Sequence, residues 1–214
     1  MLKGIKPCVD VQVLIMGPIE NNVYIVGDGE TSFVVDPMGH ADFIMKALGE
    51  RTIDAIVLTH AHWDHVGGAN DLRELTDAIT IASAVDAPFI TGEQQLDPSH
   101  REFAPCPIDK TVSDGDILEI GNMKWQVLET PGHTPGSMCL FIDPQHGGDP
   151  TGAPVLISGD TLFCGAHGRT DFVGGDPTAM TASLARLGKL PGNTVVLPGH
   201  NDITTIERES WLPQ

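Results

Sequence analysis

The run Thr59-His60-Ala61-His62-Trp63-Asp64-His65-Val66-Gly67-Gly68 places three histidines and an aspartate within six residues, directly after an apolar strand-like stretch, Asp54 to Thr59. A solvated polar turn rarely gathers four ligand-type side chains so closely, and imidazole with carboxylate at this density points to metal. At the end of a strand, His60 and His62 can project to one side and chelate one ion, while Asp64 and His65 turn toward a second. Three more segments set a ligand-type residue beside glycine at a strand end: Thr130-Pro131-Gly132-His133, Ser158-Gly159-Asp160 and Pro198-Gly199-His200. Glycine there lets the backbone turn sharply and approach a site closely. Five histidines and two aspartates make a complete dinuclear set, and a carboxylate between two histidine groups can bridge two cations. Zinc is the first expectation for such ligands, with iron or manganese as alternatives.

The surrounding pattern is α/β. Val9 to Ile15, Asn22 to Val26 and Ser32 to Asp36 alternate as short strands and predict an opening β-meander. A helical spacing over Asp42 to Leu48 follows, then the strand that leads into the histidines, a helix from Val66 to Leu75, a strand at Ile79 to Ala82 and a short helix from Ala84 to Phe89. Thr91 to Pro107 is polar and broken by proline, so an insertion loop is expected. Strands near 117–120, 124–129, 138–142 and 155–158, a helix over Thr178 to Leu187 and a strand over Thr194 to Leu197 complete a layered arrangement of helices covering two sheets.

Composition narrows the function classes. With 12 Lys+Arg against 29 Asp+Glu the formal charge is -17, which gives no electrostatic footprint for nucleic acid or an anionic membrane and leaves a small-molecule substrate. No apolar run approaches the ~18 residues of a membrane span, and Met1 to Pro7 carries no apolar signal core, so a cytoplasmic location is expected. Cys8, Cys106, Cys139 and Cys164 are scattered, which suits reduced, packed thiols better than a disulfide framework. A length of 214 residues favours one domain spanning 1–214, while the oligomeric state is not fixed by the sequence.

In combination and order, His60-Ala61-His62-Trp63-Asp64-His65, Thr130-Pro131-Gly132-His133-Thr134-Pro135-Gly136-Ser137, Gly159-Asp160-Thr161-Leu162-Phe163 and Pro198-Gly199-His200 are highly specific. On them the chain resembles the metallo-β-lactamase-fold hydrolases, most of all the glyoxalase II group and its short single-domain bacterial relatives, over about Asn21 to Arg208. Asn21-Asn22-Val23-Tyr24 and Val34-Val35-Asp36-Pro37 resemble the family's opening strands. The resemblance implies that His60, His62 and His133 bind a first metal, that Asp64, His65 and His200 bind a second, and that Asp160 bridges them. It also implies a four-layer αββα sandwich with the site at the edge between the two sheets. Full-length glyoxalase II enzymes add a helical C-terminal domain with basic groups for glutathione, whereas only Asn201 to Gln214 follow the last ligand here. Fold and chemistry therefore carry over more readily than glutathione specificity.

Two cations about 3.5–4 Å apart can share a water and lower its pKa toward ~7, so a bridging hydroxide serves as nucleophile. Asp64 can orient it or accept its proton. A thiolate, with an ordinary pKa of about 8.5, departs without a proton, so a thioester such as S-lactoylglutathione asks least of a site without a dedicated acid. Lactone or β-lactam hydrolysis and iron-dependent persulfide oxygenation are the alternatives. Arg169 is expected either to orient an anionic substrate or to pair with Asp171. Asp36 is expected either to fix a ligand histidine or to act as a turn residue before Pro37. Trp63 is expected to wall the pocket, His167 to lie near its mouth, and His40, His100 and His146 to sit on the surface.

Overall fold

The computed structural model describes residues 4–97 and 103–213; His100 lies outside them. The first half comprises β1 (Asp10–Met16), β2 (Asn21–Gly27), β3 (Ser32–Val35), α1 (Ala41–Leu48), β4 (Ala55–Leu58), α2 (Trp63–Val66), α3 (Ala69–Thr76), β5 (Ile79–Ser83), α4 (Ala87–Ile90) and β6 (Lys110–Val112). The second comprises β7 (Ile117–Ile120), β8 (Met123–Glu129), β9 (Met138–Ile142), β10 (Val155–Gly159), β11 (Leu162–Phe163), β12 (Ala166–His167), α5 (Pro177–Leu187), β13 (Val195–Pro198) and β14 (Thr204–Thr205). One sheet has the order β1-β2-β3-β4-β5-β6 and the other β14-β13-β10-β9-β8-β7, with β11 and β12 forming a small ribbon.

Strands such as β2 and β4 are covered on both faces, which explains why they read as nearly continuous apolar runs, whereas the edge strands β1 and β7 keep one face in solvent. Alternation still sorts the side chains. Phe33, Val35, Ala55 and Val57 enter the core between the sheets with Trp125, Val127, Leu140 and Ile157, where Phe33 and Trp125 meet edge to face. Val34, Ile56 and Leu58 point the other way, under Ile44 and Leu48 of α1 and Leu72 of α3. Across the molecule, α5 lays Met180, Leu184 and Leu187 on Leu128, Leu156 and Val196. That helix starts where it does because the Asp176 carboxylate accepts from Thr178 N and Ala179 N, with Pro177 at the first helical position. The layers therefore run helix, sheet, sheet, helix, as expected.

Strand direction gathers the conspicuous residues at one edge. β3, β4 and β5 are parallel, so Asp36, His60 and Asp86 all follow strand ends on the same side of the first sheet. In the second sheet β10 and β13 are parallel, and β8 and β10 each run antiparallel to the β9 between them. The C-terminal ends of β8, β10 and β13, which lead to His133, Asp160 and His200, therefore share an edge too. Met138 N donates to Thr59 O and Asn22 N to Gly199 O, closing the two sheets together there.

Three elements differ from expectation, the first being the short helix read from Ala84 to Phe89, which is α4 at Ala87–Ile90. The helix read from Val66 to Leu75 begins earlier, at Trp63, and breaks at Gly67-Gly68, where Gly68 N donates to Pro37 O, so the motif's own Asp64 and His65 are helical. β6 is a three-residue strand paired in parallel with β5, too short to leave a periodic signal. Among the described residues no helix is long and apolar enough to cross a membrane.

Candidate metal centre

The four-residue turn Thr59-His60-Ala61-His62 leads from β4 into α2, so His60 comes from a bend, His62 from extended backbone, and Asp64 and His65 from a helical turn. All four are buried, with His65 fully so, in spite of their polarity. Burial of that kind costs free energy unless partners are supplied. His133, from the turn after β8, and Asp160, from the turn after β10, are buried beside them, and His200 after β13 is partly exposed. The seven residues expected as ligands thus come from four chain segments and converge.

Their nitrogens are sorted by what each ring touches on its other side. His65 Nδ1 donates to Asp36 Oδ2 at 2.9 Å, His133 Nδ1 to the Arg169 carbonyl at 2.7 Å, and His200 Nδ1 to the Ile19 carbonyl at 3.1 Å. Thr59 Oγ1 spends its proton on Asp36 Oδ2 at 2.6 Å, so at 3.1 Å it accepts from His60 Nδ1. Each of these four rings therefore holds Nδ1 outward and turns Nε2 inward, which is how a second partner orients a metal-ligating histidine. His62 is turned the other way, with Nδ1 2.8 Å from His133 Nε2.

Among the described residues three overlapping groups have ligand atoms close enough for one ion, Asp36 with His60 and His65 being one; the two expected ones are His60, His62 and His133 on one side and Asp64, His65 and His200 on the other. Asp160 lies between them. Its Oδ1 is 3.3 Å from His65 Nε2, and its Oδ2 is 3.4 Å from His133 Nε2 and 3.6 Å from His200 Nε2. Asp64 Oδ2 is 3.4 Å from His65 Nε2 and 3.3 Å from His200 Nε2. A side chain at residue 199 would run into Asp160 Oδ1 and, at 2.7 Å, His65 Cε1, so only glycine lets the β13 turn come this close.

The residues fit a pair of cations. His60 Nε2, His65 Nε2 and Asp160 Oδ1 are buried polar atoms without a hydrogen-bond partner among the described residues. Such atoms are few in native interiors, and three of them gathered in one place point to a partner bound there. Burial, with His65 and the other neighbouring imidazoles, holds His60 well below the usual histidine range, so it is a neutral donor. Burial opposes the charge on Asp64 and Asp160, yet the surrounding histidines, His65 foremost, hold both below the carboxylate range. At His65 burial is outweighed by Asp160, Asp36 and Asp64, which raise it. Anionic carboxylates among these imidazoles, at an apolar-walled hollow, form a place that favours positive charge, and the raised His65 is one sign of it.

The hollow is about 270 Å³ and is walled by Ile19, Trp63, Phe163 and Phe172, with Arg169 at its rim. The Arg169 guanidinium makes a bidentate pair with Asp171, at 2.8 and 2.7 Å, and stacks over Phe172 at 4.1 Å. Both expectations for it are thus geometrically compatible, since the paired group still lines the pocket. Asp36 bonds His65, one of the expected ligands, from a left-handed backbone at φ 51° just before Pro37. His167 is exposed, bonds Gly168 O and lies outside the pocket walls; His40 and His146 are on the surface, and His146 pairs with Asp143. Cys8, Cys106 and Cys139 are buried thiols pushed up to about 11 by burial, whereas Cys164 is exposed.

Sequence reasoning missed two residues that organise the centre. Asn21 Nδ2 donates to the Asp64 carbonyl at 2.7 Å and to Asp64 Oδ2 at 3.0 Å. Asp86, fully buried, accepts from Ala61 N, Thr134 Oγ1 and Gly136 N. The available signal for Asp86 was its place just beyond a parallel strand, the same position that Asp36 takes after β3.

Residues 16–200 match the metallo-beta-lactamase superfamily. The chain is 32% identical over 201 residues to the probable metallo-hydrolase YqgX of Bacillus subtilis, covering 91% of each, and 28% identical over 210 residues to the hydroxyacylglutathione hydrolase GloC of Haemophilus influenzae, covering 94% of each. Among solved structures, the BLEG-1 B3 metallo-beta-lactamase superposes with a TM-score of 0.81 at 32% identity, over 94% of this chain and 96% of that one. TTHA1623 in a di-iron-bound form gives 0.78 at 34% identity, over 94% and 97%.

Proposed function

The chain belongs to the metallo-beta-lactamase superfamily, and from that premise we propose that it is a two-metal hydrolase of thioesters, with S-lactoylglutathione the first substrate to test. The observation that carries this reading is the chemistry of the pocket wall. Beyond the ligand-type residues, its walls consist of Ile19, Trp63, Phe163, Phe172 and Arg169. None of these can give a proton to a leaving group, since guanidinium does not deprotonate in proteins. A thiolate leaves without one, whereas an amide nitrogen needs it. The name of the GloC relative supports the same choice.

His60, His62 and His133 would hold one ion, and Asp64, His65 and His200 the other, with Asp160 shared. When bound, the ions supply an activated water at neutral pH and polarise the substrate carbonyl. Asp64, oriented by Asn21 through both its carbonyl and its carboxylate, is placed to take the proton of the attacking water. At about 270 Å³ the hollow is smaller than the roughly 300–1,000 Å³ of sites that enclose a whole ligand. It therefore takes the acyl end and leaves the thiol portion across the rim. There Arg169 meets an anionic thiol carrier; its pair with Asp171 is exposed to solvent, contributes little and yields to a substrate carboxylate. Zinc suits the donor set, and the di-iron form of TTHA1623 supports iron as the alternative occupant.

The test is steady-state hydrolysis of S-lactoylglutathione by metal-replete protein, followed as loss of thioester absorbance, beside Asp160→Ala. A kcat/KM of roughly 10⁴ M⁻¹s⁻¹ or more that disappears in the variant is expected. A negligible rate from protein holding two metals per chain would reject glutathione thioesters.

A further inference from the structure

Asp86 stands apart from the ligands yet touches two of the turns that carry them. It follows β5, is fully buried, and accepts from Ala61 N at 2.9 Å, Thr134 Oγ1 at 2.7 Å and Gly136 N at 2.8 Å. Its own N–H is tied to Ser83 Oγ at 3.1 Å, which anchors it to the end of β5. Ala61 lies between His60 and His62, and Thr134 follows His133. One carboxylate thus clips together the backbone segments of three would-be ligands of the same group. Asp64 and His65 are steadied by other means, through Asn21 and Asp36, and His200 through Ile19. Gly136 belongs to the same clip, because a Cβ there would lie 2.5 Å from Asp86 Oδ1.

The remaining acceptor and donor arithmetic makes the carboxylate necessary rather than merely polar. Three donors converge on two oxygens, two of them on Oδ2 and one on Oδ1. An amide of the same size has one oxygen, so in either orientation its NH₂ faces a backbone N–H. Burial raises the Asp86 carboxyl, and the three donors oppose that shift.

We propose that Asp86 is a positioning residue for one half of the centre: it sets the separation of the His60/His62 turn and the His133 turn, and so the affinity of that site, while leaving the Asp64/His65/His200 site unaffected. The proposal rests on the two-metal reading above and extends it to a residue outside the ligand set.

Zinc affinity in single-site backgrounds tests it. In His200→Ala protein, which keeps the three-histidine group, adding Asp86→Asn is expected to weaken zinc binding by about 10–100-fold, the range for residues that orient ligands. In His62→Ala protein, which keeps the other group, the same addition is expected to change zinc affinity by less than about twofold, since the Asp86 carboxylate bonds none of Asp64, His65 and His200. Thr134→Val removes one of the three donors and keeps the carboxylate, so it should reproduce the pattern at smaller size if Asp86→Asn does not fold. Equal weakening in both backgrounds would make Asp86 a general support of the fold and overturn the proposal, as would no weakening in either. Wild-type protein that binds fewer than two zinc ions would overturn the two-metal reading itself, and the proposal with it.

Discussion

Replacing Asp36 by Asn perturbs the centre without touching a ligand. Asp36 is 2% exposed and accepts three hydrogen bonds: Thr59 N at 2.8 Å, Thr59 Oγ1 at 2.6 Å and His65 Nδ1 at 2.9 Å. The amide has the carboxylate's shape but one acceptor. With its oxygen toward His65, its NH₂ meets the Thr59 N–H. Turned over, it faces His65 Nδ1, whose proton must then move to Nε2, the atom aimed at the centre. Either way one charge-assisted bond is lost and a buried donor is left facing a donor, which costs about 3 kcal/mol. For a chain of this length each kcal/mol moves Tm by about 2–4 °C, so the metal-free variant should melt about 6–12 °C lower. The metal-linked part is separate. A 10–100-fold weaker affinity corresponds to about 1.4–2.7 kcal/mol less stabilisation by saturating zinc. The gap in Tm between zinc-loaded and chelated protein should therefore narrow by about 3–10 °C. Differential scanning calorimetry of the wild type and Asp36→Asn, each with zinc and with chelator, reads both quantities. A lower metal-free Tm with an unchanged gap would show that Asp36 holds the fold and not the ligand, and would refute the reasoning.

Asp160→Ala should lower turnover by at least about 100-fold with the far-ultraviolet circular dichroism unchanged, because the shared carboxylate lies at the rim of both groups and in no sheet. Normal turnover would remove Asp160 from the centre. Arg169→Ala should raise KM for an anionic substrate by about 3–10-fold and leave kcat alone, the pattern of a contact made equally in ground and transition states. A fall in kcat instead would place Arg169 nearer the reacting bond. Cys106→Ser should leave kcat/KM within about twofold and lower stability by about 1 kcal/mol, measured by urea unfolding, since its thiol is buried and pushed up to about 11.

Much of the candidate centre was legible because its expected ligands are local in sequence or flagged by glycine. His60 to His65 announce themselves by density, and His133, Asp160 and His200 by the glycine just before each. Asp86 had no such flag. Its importance comes from Thr134 and Gly136, 48 and 50 residues away, whose donors reach it only after the second sheet folds against the first. The break at Gly67-Gly68 was similarly hidden, because it depends on Pro37 O taking the Gly68 N–H. Arg169 shows the opposite limit: the sequence offered two partners, and the folded loop gives it Asp171 and Phe172 together while keeping it on the rim.

By itself the sequence determined the class of chemistry, since residue type decides what a site can bind, and imidazoles with carboxylates in that spacing suit divalent cations. It also determined the layered α/β architecture, because alternating and helical periodicities record which faces must be buried. Tertiary structure alone decided which nitrogen of each ring faces inward, since that depends on carbonyls and carboxylates brought from distant segments: Arg169 O for His133, Ile19 O for His200 and Asp36 for His65. It alone also brought the ends of β4, β8, β10 and β13 to one edge, because strand direction and sheet order are set by long-range pairing that no local pattern encodes.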